Sequence, residues 1–288
     1  MGLTAGLTAF DEATAVRKLA EGRYETLPDR RFAMITPGGT PPPAVNGGVL
    51  LATLLRCVLG TSPHPHPVAT SAHFVRVPKL APAQIEVSWL KTGRTAATAR
   101  ASLHQDGQIL LDTTVTTGTV PGPGPAADGE LAWSVPPPEL PRVTDCVPLG
   151  QWHGAPMEGF PSQVDVLLDP ATAGWLSKDP AGTPRMRGYF RLREDRDPDA
   201  YLLALAVDAL PPVVFNLGAR GWAPTVELTW YMRAVPEPGD LRVATASQDV
   251  GGGWFDEESV VWDAAGRLVA QSRQIARLGR GAPVTGRS

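Results

Sequence analysis

The stretch DPDAYLLALAVDAL, residues 197–210, decides the reading of the fold. Asp197 is a good N-cap and Pro198 a good first helical residue, because proline has no N–H to leave unsatisfied there. The run Tyr201 to Val207 is apolar nearly all round, which fits a helix wrapped by other elements rather than one lying on a surface. Asp208 ends that run, and Pro211 and Pro212 follow. A negative charge at a helix C-terminus opposes the macrodipole. Two readings of Asp208 therefore stand side by side: a solvated helix end, or a carboxylate held in a closed site. Burial would raise its pKa toward the range of a general base, and donors aimed at it would lower it again.

A second apolar helix is expected in NGGVLLATLLRCVLG (46–60), where Gly47 and Gly48 precede the run and Gly60 can close it. Each helix is followed by strand-like segments. After the first come SAHFVRVP (71–78) and the long stretch 84–118; after the second come TVELTWYMRAVP (225–236) and 241–279. Arg76 falls against Arg233 and Gly107 against Gly266, at an offset of about 157 residues. Between the halves lies a Pro/Gly-rich linker, 120–146, containing PGPGPAADG and VPPPELP. The expected organisation is a unit over 1–119, the linker, and a second unit over 147–288. Helix followed by antiparallel sheet, done twice, defines an α+β fold with each helix lying across its sheet.

Alternation supports the strands. Val226, Leu228, Trp230 and Met232 share one face, with Thr225, Glu227, Thr229, Tyr231 and Arg233 on the other; Leu268, Ala270, Ser272, Gln274, Ala276 and Leu278 share a face of the last strand. Asp106-Gly107 is a hairpin signal.

The bulk properties bound the function. The chain has 288 residues, a formal net charge of −3 and 43% hydrophobic residues, which provides for a sizeable core and argues against a nucleic-acid partner. Its two cysteines, Cys57 and Cys146, suggest no disulfide framework and point to a reducing cytoplasm. The N-terminal MGLTAGLTAFDEA lacks a positively charged region, so no secretory signal is expected, and the longest apolar runs fall short of the ~20 residues that span a bilayer. There is no Gly-x-Ser-x-Gly elbow, P-loop, Gly-x-Gly-x-x-Gly or His-Glu-x-x-His. His64 and His66 lie in a proline-rich stretch with no third ligand nearby, and His73, His104 and His153 are isolated, so no metal site is expected.

The informative residues are polar ones where the pattern calls for apolar ones. Besides Asp208, Gln274 shares its face with small and apolar residues; its amide can hold backbone or orient a water. Thr225 opens its strand with a parity opposite the apolar face, so it would serve a site only from the strand end. In GGGWFDEE (251–258), Trp254 and Phe255 could wall a pocket. Asp256 and Glu257 are read as a hairpin end rather than an acid/base pair, since adjacent strand residues face opposite ways.

These pieces carry a family resemblance. Asn46-Gly47-Gly48 opening a helix, Lys91-Thr92-Gly93-Arg94-Thr95, Gln105-Asp106-Gly107, Pro224 to Thr229, Gly253 to Glu257 and Asp263 to Gln274 appear in the order and spacing of bacterial acyl-CoA thioesterase II. The chain resembles that family and its shorter actinobacterial relatives over about residues 10–280. The resemblance implies a double hotdog: two antiparallel sheets, each wrapped around a central apolar helix, joined into one continuous sheet. It implies hydrolysis of an acyl-CoA or related acyl thioester by activated water, a place in lipid metabolism, no cofactor, and a homodimer. It places the catalytic roles on Asp208 as general base and on Thr225 and Gln274 as groups orienting the water. Asn46, Gly47 and Gly48 become candidates for oxyanion donors, since a helix N-terminus presents positive charge. The first-half helix carries no carboxylate, so a second complete site is not expected. A hotdog that binds acyl thioesters without cleaving them is the alternative. A hydratase is disfavoured because no histidine accompanies Asp208 in a short motif.

Overall fold

The computed structural model describes residues 6–35, 43–124, 133–152 and 155–279. The first five residues, linker residues 125–132 and His153 lie outside the described residues.

The helix expected from Asp197 begins two residues later. It spans Ala200–Ala206, and its N-cap is Asp199, whose side chain accepts from Leu202 N at 2.9 Å. An N-cap must reach the amide three residues on; Asp199 does so, and Pro198 sits outside the helix. The first-half helix spans Gly47–Leu59, capped by Asn46 and closed by Gly60. The two helices pack antiparallel. Gly48 lies against the backbone of Ala204 and Leu205, and near the opposite ends the Arg56 guanidinium stacks 4.4 Å from the Tyr201 ring centre. A Cβ on Gly48 would sit 2.7 Å from the Ala204 carbonyl oxygen, so this approach requires glycine.

One 14-stranded sheet wraps the pair. Its middle reads as a palindrome. Arg23–Thr26, Ala83–Thr92, Ala97–Gln105, Gln108–Gly118 and His66–Phe74 form one side; Thr225–Met232, Leu268–Arg277, Trp254–Trp262, Leu241–Ala246 and Arg185–Leu192 form the other. At the seam, His66–Phe74 pairs antiparallel with Thr225–Met232, with Ala72 opposite Leu228. The repeat extends to irregularities. A register shift between Pro67 and Ala69 matches one between Thr225 and Glu227. Val75 and Arg76 both donate to the Leu110 carbonyl, as Arg233 and Ala234 both donate to that of Val269. Asp106 and Gly107 have φ of 52° and 72° and link Gln105 to Gln108 in a two-residue hairpin of the expected kind.

The core forms between helices and sheet. Leu51, Leu54 and Leu55 from one helix and Leu202, Leu203 and Leu205 from the other meet Ile85, Leu103, Leu111, Phe190 and Trp230 from the strands, all at most 1% exposed. Each such side chain contributes roughly 1.5–3 kcal/mol on burial. Cys57 lies among them, and burial pushes its thiol up to about 12. The described parts of the 120–146 stretch run along the second half: Tyr189 donates to the Pro141 carbonyl at 3.0 Å, Trp262 to that of Val135 at 3.0 Å and Arg267 to that of Gly122 at 2.6 Å. Among the described residues no helix is long and apolar enough to cross a membrane, and no group of His, Cys, Asp and Glu could hold a metal.

Candidate active site

Asp208 follows the C-cap of the second-half helix and lies at the N-terminus of the first-half helix. Its Oδ2 accepts from the Gly48 amide at 2.9 Å. The position is unfavourable for its own helix and favourable for the neighbour, whose N-terminus carries the positive end of a macrodipole. Asn46 fastens the junction. Its Oδ1 accepts from Gly48 N at 2.9 Å and Val49 N at 3.3 Å, while its Nδ2 donates to the Asp208 carbonyl at 3.2 Å. A Cβ on Gly47 would lie 2.8 Å from Asp208 Oδ2 and 2.9 Å from the Phe74 ring. Burial pushes the Asp208 carboxyl up to about 7, against the opposing hydrogen bond from Gly48. The solvated-helix-end reading is thus corrected. Pro211 and Pro212 lead into the 3-10 helix Val213–Leu217.

Thr225 was expected on the wrong face of its strand, and a β-bulge corrects this. Thr225 pairs with Ala276, whereas Glu227 pairs with Ile275, so one residue of Thr225–Met232 is extra. The bulge reverses the parity. Thr225 joins the inward side with Ala276, which is 1% exposed, and Glu227 goes outward with Ile275, which is 42% exposed. From there Thr225 Oγ1 donates to Gln274 Oε1 at 2.9 Å. One pleat along the same face, Ser272 Oγ donates to the Val207 carbonyl at 3.3 Å, tying the helix end before Asp208 to the Gln274 strand. Asp208 shares no direct hydrogen bond with Thr225 or Gln274 among the described residues.

Glu257 is the site neighbour that the sequence reading passed over. It stands opposite Gln274 in the ladder and is 5% exposed. Its Oε2 accepts from Gln274 Nε2, and its Oε1 accepts from Val213 N at 2.6 Å. Burial pushes its carboxyl up to about 7; the bonds from Val213 and Gln274 oppose this, and the charge of Asp208 adds to it. A signal was present: strict alternation puts Glu257 on one face with Phe255, Ser259 and Val261, all buried. The hairpin-end reading holds for Asp256, whose Oδ1 accepts from Ser247 Oγ, Gln248 N and Asp249 N at 2.9–3.0 Å. Trp254 pairs with Arg277 on the outward side, the guanidinium 4.8 Å from its ring centre. The structure does not bring Trp254 together with Gln274; Phe255 is the inward aromatic.

Among the first four amides of the Gly47–Leu59 helix, Gly48 donates to Asn46 and Asp208, Val49 to Asn46 Oδ1 and Leu50 to the Asn46 carbonyl. Among the described residues the Gly47 N–H has no hydrogen-bond partner, as the first amide of a helix commonly lacks one. The arrangement therefore combines a carboxylate able to take a proton near neutrality, a polarised amide–hydroxyl pair and a helix N-terminus.

The two helix-and-sheet halves form a double hotdog, and comparison with known proteins gives the family. Residues 36–120 match the family model of the acyl-CoA thioesterase N-terminal domain, and residues 143–278 that of the C-terminal domain. The chain belongs to the acyl-CoA thioesterase family. A Thermobifida fusca protein provisionally described as a thioesterase II is 41% identical, with a TM-score of 0.85 over 96% of this chain and 99% of that one. An uncharacterised Mycobacterium tuberculosis protein is 33% identical over 256 residues, covering 82% of this chain and 86% of that one. The acyl-CoA thioesterase II TesB2 of Mycobacterium marinum, 16% identical with a TM-score of 0.66 over 96% of this chain and 99% of that one, shares the fold.

Proposed function

We propose that the protein hydrolyses an acyl-CoA, or a closely related acyl thioester, to a free acid and a thiol by direct attack of water. The observation that supports this most is the Asp208 carboxylate at the helix N-terminus, pushed up to about 7 by burial, with the Thr225–Gln274 pair on the strand that Ser272 ties to the helix end before it. Asp208 takes a proton from water held between it and the Gln274 amide. The water oxygen attacks the thioester carbonyl, and charge developing on the carbonyl oxygen meets the Gly47 N–H and the positive end of the helix. Collapse breaks the C–S bond, and the proton held by Asp208 goes to the leaving thiolate. Water supplies both the oxygen of the acid and the proton of the thiol, so no cofactor enters the balance. A cytoplasmic location and a homodimer belong to the same reading.

Thiol release from a panel of short, medium and aromatic acyl-CoAs, trapped with a thiol reagent, tests the proposal. Steady turnover is expected. Folded protein that binds acyl-CoA by calorimetry and releases no thiol from any of them overturns it in favour of a binding role.

A further inference from the structure

We propose that Glu257 is a positioning residue of this site: it fixes the direction of the Gln274 carboxamide and ties the loop after Asp208 to the same strand. The inference rests on the hydrolase reading for its kinetic consequences and on geometry for its content.

Three hydrogen bonds form a directed chain. Thr225 Oγ1 donates to Gln274 Oε1, Gln274 Nε2 donates to Glu257 Oε2, and Val213 N donates to Glu257 Oε1. An ionised carboxylate accepts and cannot donate. It therefore holds the NH2 end of Gln274 toward itself and the carbonyl end toward Thr225. Without that partner a carboxamide can turn by 180° and exchange its donor and acceptor ends. With the direction set, the Thr225 hydroxyl proton is committed to Gln274, its lone pairs stay open to a water, and the second N–H of Gln274 remains to donate. Val213 lies five residues after Asp208 in the same connection, so one side chain spans the two segments that hold the proposed base and the proposed orienting amide.

Among the described residues no other group accepts from the Gln274 amide nitrogen. Asp208 faces Glu257 from the helix end and Asp256 adjoins it on its own strand. The Val213 segment offers a backbone amide, and the flanking strands offer Thr225, Gln274 and Ser272. Neither Glu257 nor Asp208 has an ion pair among the described residues. A buried carboxylate without a cation is costly. Its raised pKa follows from that setting and makes the network sensitive to pH near neutrality.

Glu257→Gln tests the proposal, because it keeps the shape and leaves one acceptor where the carboxylate had two. Expected is a fall in kcat of roughly 10- to 100-fold with KM within about threefold. The acid limb of the pH profile should move to lower pH, since Asp208 then ionises without a charged neighbour. In the same variant the Gln274 side-chain amide protons, followed by NMR, should lose their exchange protection. An unchanged kcat and limb together with unchanged Gln274 signals overturn the proposal. If wild-type protein releases no thiol from any acyl-CoA, the hydrolase reading fails while the NMR result still decides the positioning claim. Val213→Pro, at a first helical position that tolerates proline, removes the other donor if the first variant does not fold. It should lower kcat about 3- to 10-fold with Gln274 signals retained; kcat at the wild-type level overturns the loop tie.

Discussion

At one end of the antiparallel helix pair, where Asp208 meets Gly48, a carboxylate accepts from one amide and, among the described residues, from no guanidinium. At the other end, where Arg56 meets Tyr201, the Asp11 carboxylate is clamped by Arg56 at 2.7 Å and Arg196 at 3.1 Å, with Thr8 Oγ1 at 2.7 Å. Arg196 also binds Asp199, the cap of the second-half helix. Burial pushes both carboxyls upward. At Asp11 the bonds from Thr8 and the arginines outweigh it and hold the pKa far below the usual carboxylate range. At Asp208 a single amide does not outweigh it. Two ends of one helix pair thus yield a group that can exchange a proton near neutrality and a group that staples the N-terminal segment to both helices.

The largest effect that would break this contrast is at the chemical end. Asp208→Asn should lower kcat by about 10³-fold while acyl-CoA binding, measured by calorimetry, survives. Full activity in that variant would remove Asp208 from the base role. Gly48→Ala comes next, because its Cβ would press on Ala204 and Leu205 backbone; a loss of about 3 kcal/mol in chemical denaturation is expected, overpacking of this kind having little room to relax. Asp11→Asn should cost about 1–3 kcal/mol of stability and leave kcat/KM within twofold, since it weakens charge-assisted bonds and touches no reacting group.

Acidity sharpens the comparison with the smallest effects. The Asp208 pKa is raised on folding, so its contribution to stability is present below about pH 4 and is lost as pH rises through about 7. Asp11 has the opposite sign: its contribution is present above about pH 4 and is lost as pH falls toward its depressed folded value. Denaturation curves of the two Asn variants across pH 2 to 8 should therefore diverge. Asp208→Asn should be stabilised relative to wild type at the alkaline side by on the order of 1 kcal/mol, and Asp11→Asn should lose its deficit at the acid side. Activity should rise with pH through a limb near 7 as Asp208 ionises. Parallel curves would mean that the two ends do not differ in the way their contacts imply.

Much of this was legible in the residues. The apolar runs of 46–60 and 197–210, the matched strand segments and the Asp106-Gly107 turn led to a repeated helix-and-sheet unit, and the parity of Gln274 pointed it inward. Other features were not legible for stated reasons. The start of the second helix slipped by two residues because Asp197 and Asp199 are both capping residues, and only contact with the Leu202 amide separates them. Thr225 had the wrong parity until the bulge beside it reversed the count. Trp254 was weighed for a pocket wall, whereas its strand partner Arg277 holds it on the outward side. Opposite faces for Asp256 and Glu257 exclude an acid/base pair, and only the alternation with buried Phe255, Ser259 and Val261 shows that Glu257 is the one turned inward.

The sequence by itself determined the two apolar helices, the alternating strands and the presence of polar residues on inward faces, because each follows from local periodicity of 3.6 or 2 residues. Tertiary structure alone decided what those polar residues do. Asp208 owes its setting to the N-terminus of a helix 160 residues away in the chain, and Gln274 owes its direction to a carboxylate 17 residues back on the neighbouring strand. Local pattern states which way a side chain points. Only the packed fold states what waits there, and for a buried carboxylate that neighbour sets its charge.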